Sequence, residues 1–220
     1  MIRRLLDWHR GRAGRRGDGA HGVRWVVLDL ETGGLDPSSD PILSIGAVAV
    51  RGLRVVVADS LELAVRPERT SPRTNILIHG IGAQAQRAGI DPGEACARLL
   101  DFVGDSPIAA FNAGFDRRFL EKAMRSDGRA RPANRWLDVA QFARAVEPAA
   151  RERTLDDWLA RYGLTVERRH EAAGDAFATA SLLLCLLARV PPGERDPRSI
   201  AHRIESARWL GGEAGRGVGA

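Results

Sequence analysis

Between Trp25 and Leu30 the chain is an apolar, valine-rich run interrupted only by Asp29, with glycines at Gly22 and Gly33 on either side. Such a run reads as a buried central strand. Ile42 to Val50 and Arg54 to Val65 read as two further strands joined by a tight turn around Arg51-Gly52, and three consecutive strands with short connections predict an antiparallel meander. Residues 66–90 hold Pro67, Pro72, Gly80, Gly82 and Gly89, which predicts a long loop with one short helix near Ala83 to Arg87. From Pro92 the spacing becomes helical: Cys96, Leu99, Leu100 and Val103 share one face. A short strand is expected at Pro107 to Phe111, a helix at Phe115 to Met124, a strand at Arg135 to Val139 and a helix from there through Ala145. Thr154 and Asp157 have the spacing of a capping box opening a helix from Leu155 to Tyr162, and Gly163 supplies its stop. Ala172 to Ala188 is a long, mostly apolar helix that must pack on the sheet, and a last helix is expected over Ile200 to Leu210 before a glycine-rich end. Strands first, then alternating helices and strands, predict an α/β domain with a mixed sheet.

Composition changes this picture little. A chain of 220 residues with 44% hydrophobic and 28% charged residues has the ordinary make-up of a globular domain. The longest apolar run, around Leu182 to Ala188, is far short of a membrane span, and the basic first residues lack the apolar stretch of a secretory signal. A cytoplasmic protein with no membrane partner is therefore expected. Cys96 and Cys185 form no C-x-x-C pair, so neither a disulfide framework nor a zinc site is indicated.

Charge matters through its distribution. Seven arginines and two aspartates fall within residues 1–24, so the whole net charge of +5 sits there and the remainder is balanced. Residues 1–22 read as a flexible basic leader, 23–190 as the folded domain, and 191–220 as a C-terminal helix and tail. Any nucleic-acid site in the folded part must then rely on local arrangement and bound metal rather than on a general basic field.

Asp29 is the residue out of place. A carboxylate buried in mid-strand is costly unless it is paired or coordinates a metal. The two-residue period of a strand puts Glu31 on the same face, and a divalent cation held between two such acids would relieve their repulsion. Taken alone, a D-x-E is more often a strand end whose acids point into solvent. Two further acids stand in unusual company: Asp116, just after an apolar strand where a helix begins, and Asp175, with His170, at the entrance to a nearly all-apolar helix. Singly, each reads as a helix-start acid favoured by the dipole.

Together, Asp29-Leu-Glu-Thr-Gly-Gly, Asn112-Ala-Gly-Phe-Asp116 and His170-x4-Asp175 resemble the three motifs of the DEDDh 3′-to-5′ exonucleases, most closely the proofreading epsilon subunit of bacterial DNA polymerase III and its stand-alone relatives. His79-Gly-Ile, Leu137-Asp-Val and Thr154-Leu-Asp-Asp-Trp-Leu extend the resemblance over about Val23 to Leu187. It implies a ribonuclease H-like mixed sheet flanked by helices and hydrolysis of phosphodiester bonds with two divalent cations, Mg²⁺ or Mn²⁺. Asp29 would bridge both ions, Glu31 and Asp175 would complete one site, and Asp116 would serve the other. His170 would be the general base for the attacking water, a role suited to an imidazole and served by mobility at its helix entrance. Backbone groups of Leu30, Thr32 and Gly33 would meet the terminal nucleotide, with His79 and Phe115 as stacking or sugar contacts and Asn112 as a hydrogen-bond donor.

Phe115 reads equally as core, and His79 as a loop residue. Phe111 replaces the His or Gly-His that often precedes the Asn of the second motif, and Gly82 replaces the Thr common after His-Gly-Ile. The expected partner is a DNA 3′ end, single-stranded or frayed, in a replication or repair setting with a polymerase or similar protein. An RNA-directed exoribonuclease of the same superfamily and a non-catalytic nucleic-acid or polymerase-binding module remain the alternatives. Retention of all four acids and His170 argues against the last, because clustered unpaired negative charge would repel a phosphate backbone.

Overall fold

The computed structural model of the chain describes residues 22–68, 70 and 80–214, with side chains as far as Leu210. The basic leader, apart from Gly22, and His79 lie outside the described residues. Strands β1 (Arg24–Thr32), β2 (Ile42–Arg51) and β3 (Arg54–Ala64) form the expected meander. Strands β4 (Ile108–Ala110) and β5 (Trp136–Asp138) are shorter than the apolar runs that predict them. The sheet order is β3-β2-β1-β4-β5, antiparallel across the first three strands and parallel from β1 through β4 to β5. The central strand is therefore the one that carries Asp29.

The hairpin turn between β2 and β3 sits one residue further along than the glycine signal indicates. Arg51 pairs with Arg54, leaving Gly52 and Leu53 as the two loop residues with φ of 50° and 61°. Two positive φ angles in succession define the primed turn whose twist matches the flanking strands, and here it holds a leucine at its second position. On β3 the register shifts where Val48 faces Ser60 and Ala49 faces Val56, so Val57, Ala58 and Asp59 bulge out of the ladder. Asp59 turns back to accept two hydrogen bonds from the Arg24 guanidinium, at 2.7 and 2.9 Å.

Helices cover both sheet faces. On one side α2 (Pro92–Val103) and α3 (Gly114–Ser126) cover Val26, Leu28 and Leu30 with Leu99, Phe119, Leu120 and Met124. Behind the opposite face, α4 (Val139–Val146), α5 (Leu155–Arg161) and α6 (Ala172–Ala188) bury Phe142, Trp158, Leu182, Leu183 and Leu186 against Trp25 and Val27. Each fully buried side chain of this size contributes about 1.5–3 kcal/mol. A short helix α1 (Ala83–Ala88) precedes α2, as expected. The capping box is formed at α5: Thr154 Oγ1 accepts from the Asp157 N–H at 3.1 Å, and Asp157 Oδ2 accepts from the Thr154 N–H at 3.0 Å. The last helix, α7 (Pro197–Ala214), is longer than its apolar spacing indicates. It starts early because Asp196 Oδ1 accepts from the Arg198 and Ser199 N–H groups, while Pro197 fits a first helical turn. Ile200 and Ile204 tie it into the core behind α4. Among the described residues no helix is long and apolar enough to cross a membrane.

Candidate active site

Asp29 and Glu31 continue the β1 face that begins with Trp25 and Val27, as the strand period predicts. What turns this half of the face into a site is the arrival of α6. Across β2, Asp29 pairs with Gly46, and a Cβ on Gly46 would lie 2.2 Å from the backbone carbonyl carbon and oxygen of Ala172. Without a side chain there, the first turn of α6 settles directly on the sheet beside Asp29. Asp175, in that first turn, thereby meets the two strand acids, and carboxylate oxygens of Asp29, Glu31 and Asp175 lie within 4.8 Å of one another. A one-residue register shift between Glu31 and Thr32 ends the regular ladder here, a common device for re-aiming side chains beside a site.

Asp116 enters from the first turn of α3 and is 4% exposed. Burial raises its pKa from 3.8 to about 8, nearby Leu30 N–H works against the rise, and the charges of Asp138 and Glu31 add to it. Asp29 is lifted well above the ordinary carboxylate range by burial, then by Asp116 and Glu31. Glu31 is raised too, again chiefly by burial. Three acids held toward their protonated forms chiefly by burial, with the Asp175 carboxylate beside two of them, form a set that a hard divalent cation would relieve, so the donor set fits metal.

The cation that does face them is Arg169, which the sequence did not single out. Its guanidinium bridges Asp175 and Asp156, the latter at 2.7 Å, and its charge opposes the pKa rise of both Asp29 and Glu31. The strap that carries it is pressed onto α6: a Cβ on Gly174 would fall 1.5 Å from the Arg168 carbonyl oxygen. Next along this strap, His170 is exposed, has φ of 63°, and donates its backbone N–H to Asp175 Oδ1 at 3.2 Å. Asn112 has φ of 57° at the other rim. Among the described residues the only other non-glycine with positive φ is Leu53 in the hairpin, so two of the three unusual backbones flank the acids.

The expected nucleotide contacts divide. Asn112 is exposed at the rim, and Gly33 is buried, its N–H donating to the Pro41 carbonyl at 2.8 Å. Thr32 Oγ1 donates to the Gly34 carbonyl at 2.6 Å. Leu30 turns its side chain into the opposite core and offers only its backbone to the site. Phe115 is half-buried against Phe119, ring centroids 4.8 Å apart, so the core reading holds for part of its ring. Asp138, quoted in a motif without a role, lies close enough to Asp116 to raise its pKa and caps α4 by accepting from the Gln141 N–H at 3.1 Å. Its signal was an aspartate at a strand-to-helix junction, the same signal that marks Asp116.

The exonuclease family model matches residues 26–183. The chain belongs to the exonuclease family. This is the family read from the three motifs. Among relatives, the PolC-type DNA polymerase III of Thermotoga maritima is 36% identical over 164 residues, 73% of this chain and 12% of that protein. A DNA polymerase III subunit epsilon-like protein of Rhodobacter capsulatus is 33% identical over 168 residues, 75% of this chain and 24% of its own length. The chain thus spans a quarter or less of these exonuclease-family relatives. Two solved exonuclease structures share the fold. E. coli Exonuclease I in complex with a dT13 oligonucleotide superposes with a TM-score of 0.67 at 20% identity, over 76% of this chain and 41% of that one. Exonuclease X in complex with 5′ overhanging duplex DNA superposes with a TM-score of 0.66 at 22% identity, over 82% of this chain and 99% of that one.

Proposed function

We propose that the chain is a metal-dependent 3′-to-5′ exonuclease that hydrolyses the terminal phosphodiester at the 3′ end of DNA, single-stranded or frayed, and releases nucleoside 5′-monophosphates. The observation that carries this reading is the convergence of Asp29, Glu31 and Asp175 within 4.8 Å, with buried Asp116 alongside. Family membership and the DNA in the complexes of its fold neighbours support it.

The four acids would hold two divalent cations, Mg²⁺ or Mn²⁺, which when bound ease deprotonation of the attacking water and neutralise charge on the phosphate. The protein's own part is positional. Asp29 faces both Asp116 and the Glu31–Asp175 side, which suits it to bridge. An imidazole nitrogen of His170 accepts the proton of the attacking water as the new P–O bond forms and the bond to the departing 3′ oxygen breaks. Backbone groups of Leu30, Thr32 and Gly33, with Asn112 and the exposed edge of Phe115, hold the terminal nucleotide. His79, which precedes α1 in the chain and lies outside the described residues, is a further candidate. Stacking and backbone contacts tolerate any base, so cleavage without base preference is expected.

The catalytic unit in this reading is 23–190, with α7 anchored to it through Ile200 and Ile204. The polymerase relatives favour a cytoplasmic replication or repair role beside a polymerase. A gel assay of single-stranded, 3′-recessed and mismatched DNA oligomers and a matched RNA, with Mg²⁺, tests the proposal. Stepwise loss from the 3′ end of DNA, abolished in Asp29→Ala and His170→Ala, is the expected result. Full activity of either variant removes its assigned role, and faster loss from RNA than DNA transfers the substrate.

A further inference from the structure

A groove of about 1050 Å³ runs between α4 and α7, lined by Gln141, Arg144, His202, Arg203, Arg208 and Leu210 among others. Its one carboxylate among the described residues, Glu194, is taken by Arg203. Among the described residues, the Arg144 and Arg208 guanidinium groups are in no ion pair; Arg208 reaches only a neutral partner, Gln141 Oε1, at 2.5 Å. Gln141 in turn donates to Asp138 Oδ2 at 3.2 Å. Asp138 is the cap of α4 beside Asp116, so the chain Asp116, Asp138, Gln141, Arg208 leads from the acid cluster into the groove. The charges of Arg144 and Arg208 both act on Asp138. At this end α7 exposes two large apolar side chains: Trp209 is 72% and Leu210 69% exposed. His202 and Trp209, seven residues apart, lie on one stripe of the helix.

We infer that the α4–α7 groove is the track for the single strand upstream of the cleaved end, with Arg144 and Arg208 on its phosphates and Trp209 under one of its bases. The inference rests on the exonuclease reading. Unpaired arginines interleaved with an exposed aromatic are the combination that binds single strands without sequence preference. A net charge of zero over residues 25–220 means this local grouping, rather than a general field, supplies the attraction.

The test uses the full chain and two kinds of substrate. Hydrolysis of thymidine 5′-monophosphate p-nitrophenyl ester reports the acid cluster alone. Binding of fluorescein-labelled dT4 and dT16 with Ca²⁺, followed by anisotropy, reports the track. The Arg144→Ala/Arg208→Ala double variant should hydrolyse the ester like the unmodified protein and bind dT4 within about twofold, yet lose about tenfold on dT16. Its slope of log affinity against log salt should shrink by about 1.4, near 0.7 per lost phosphate contact. Trp209→Ala should lose about fivefold on dT16, consistent with one stacked base. Unchanged dT16 binding and salt slope in the double variant, with the ester still hydrolysed, overturns the track and leaves the exonuclease reading standing. Ester hydrolysis absent from the unmodified protein overturns the reading and the track with it. Variants that alter sedimentation with protein concentration while binding dT16 normally would assign the groove to a protein contact instead.

Discussion

On one face of β1, Val26, Leu28 and Leu30 stay buried; on the other, Trp25 and Val27 give way to Asp29 and Glu31. The first face meets α2 and α3 through aliphatic and aromatic side chains and adds to stability from Val26 to Leu30. The second does so for half its length and then brings like charges together under the first turn of α6, a cost to stability that a bound cation would relieve. A single strand thus shows where folding and chemistry part: residue by residue, alternating with its pleat.

The sharpest break of that comparison uses neighbours on opposite faces. Asp29→Asn should lower nuclease turnover by roughly 10³-fold, the scale of removing a main electrostatic stabiliser, while the metal-free protein melts no lower than the parent. Leu28→Ala should do the reverse, costing about 3 kcal/mol in urea unfolding with turnover per folded molecule intact. An Asp29→Asn protein that unfolds more easily, or a Leu28→Ala protein that stays folded but inactive, would contradict the division. Next comes the glycine that admits α6. Gly46→Ala puts a methyl group against the Ala172 backbone and should cost about 2 kcal/mol while weakening Mn²⁺ binding measured by calorimetry. Unchanged metal affinity would mean that α6 does not need this approach to complete the acid cluster.

These outcomes bear on what can be read from a sequence. The shared face of Asp29 and Glu31, the extent of α6 and the capping box of α5 follow from local periods and caps, and each stands where expected. Other features depend on distances between elements far apart in the chain. Gly46 looks like any glycine in a strand until Ala172 is laid against it. Arg169 is one arginine among many, and only the fold brings it between Asp156 and Asp175. Asp138 carries a readable helix-start signal, yet its nearness to Asp116 arises from β4 and β5 running side by side.

Two smaller effects sharpen the contrast. The raised pKa values of Asp29, Glu31 and Asp116 mean the folded protein holds protons that the unfolded chain has released, so metal-free stability is greatest near pH 4 and falls as pH rises toward about 8. Melting temperature in EDTA should decline over that window, Mg²⁺ should flatten the decline, and Asp116→Asn should reduce it. A flat EDTA profile in the parent would show that the acids do not strain the metal-free fold. Smallest of all, Arg169→Gln removes a partly exposed ion pair and should lower metal-free stability by about 1 kcal/mol. The same variant should bind Mn²⁺ more tightly, by about fivefold, since about 1.4 kcal/mol corresponds to tenfold. Weaker Mn²⁺ binding would make Arg169 a support of the metal site rather than its competitor.

At the far margin of the sheet, β3 throws out Val57, Ala58 and Asp59, and Asp59 is fastened to Arg24 and Arg51. A border with such a kink, held shut by charge, presents no straight row of amides for another chain to zip onto. Crowded molecules would therefore find little purchase for edge-to-edge stacking, which protects a protein whose central strand is among its most apolar segments.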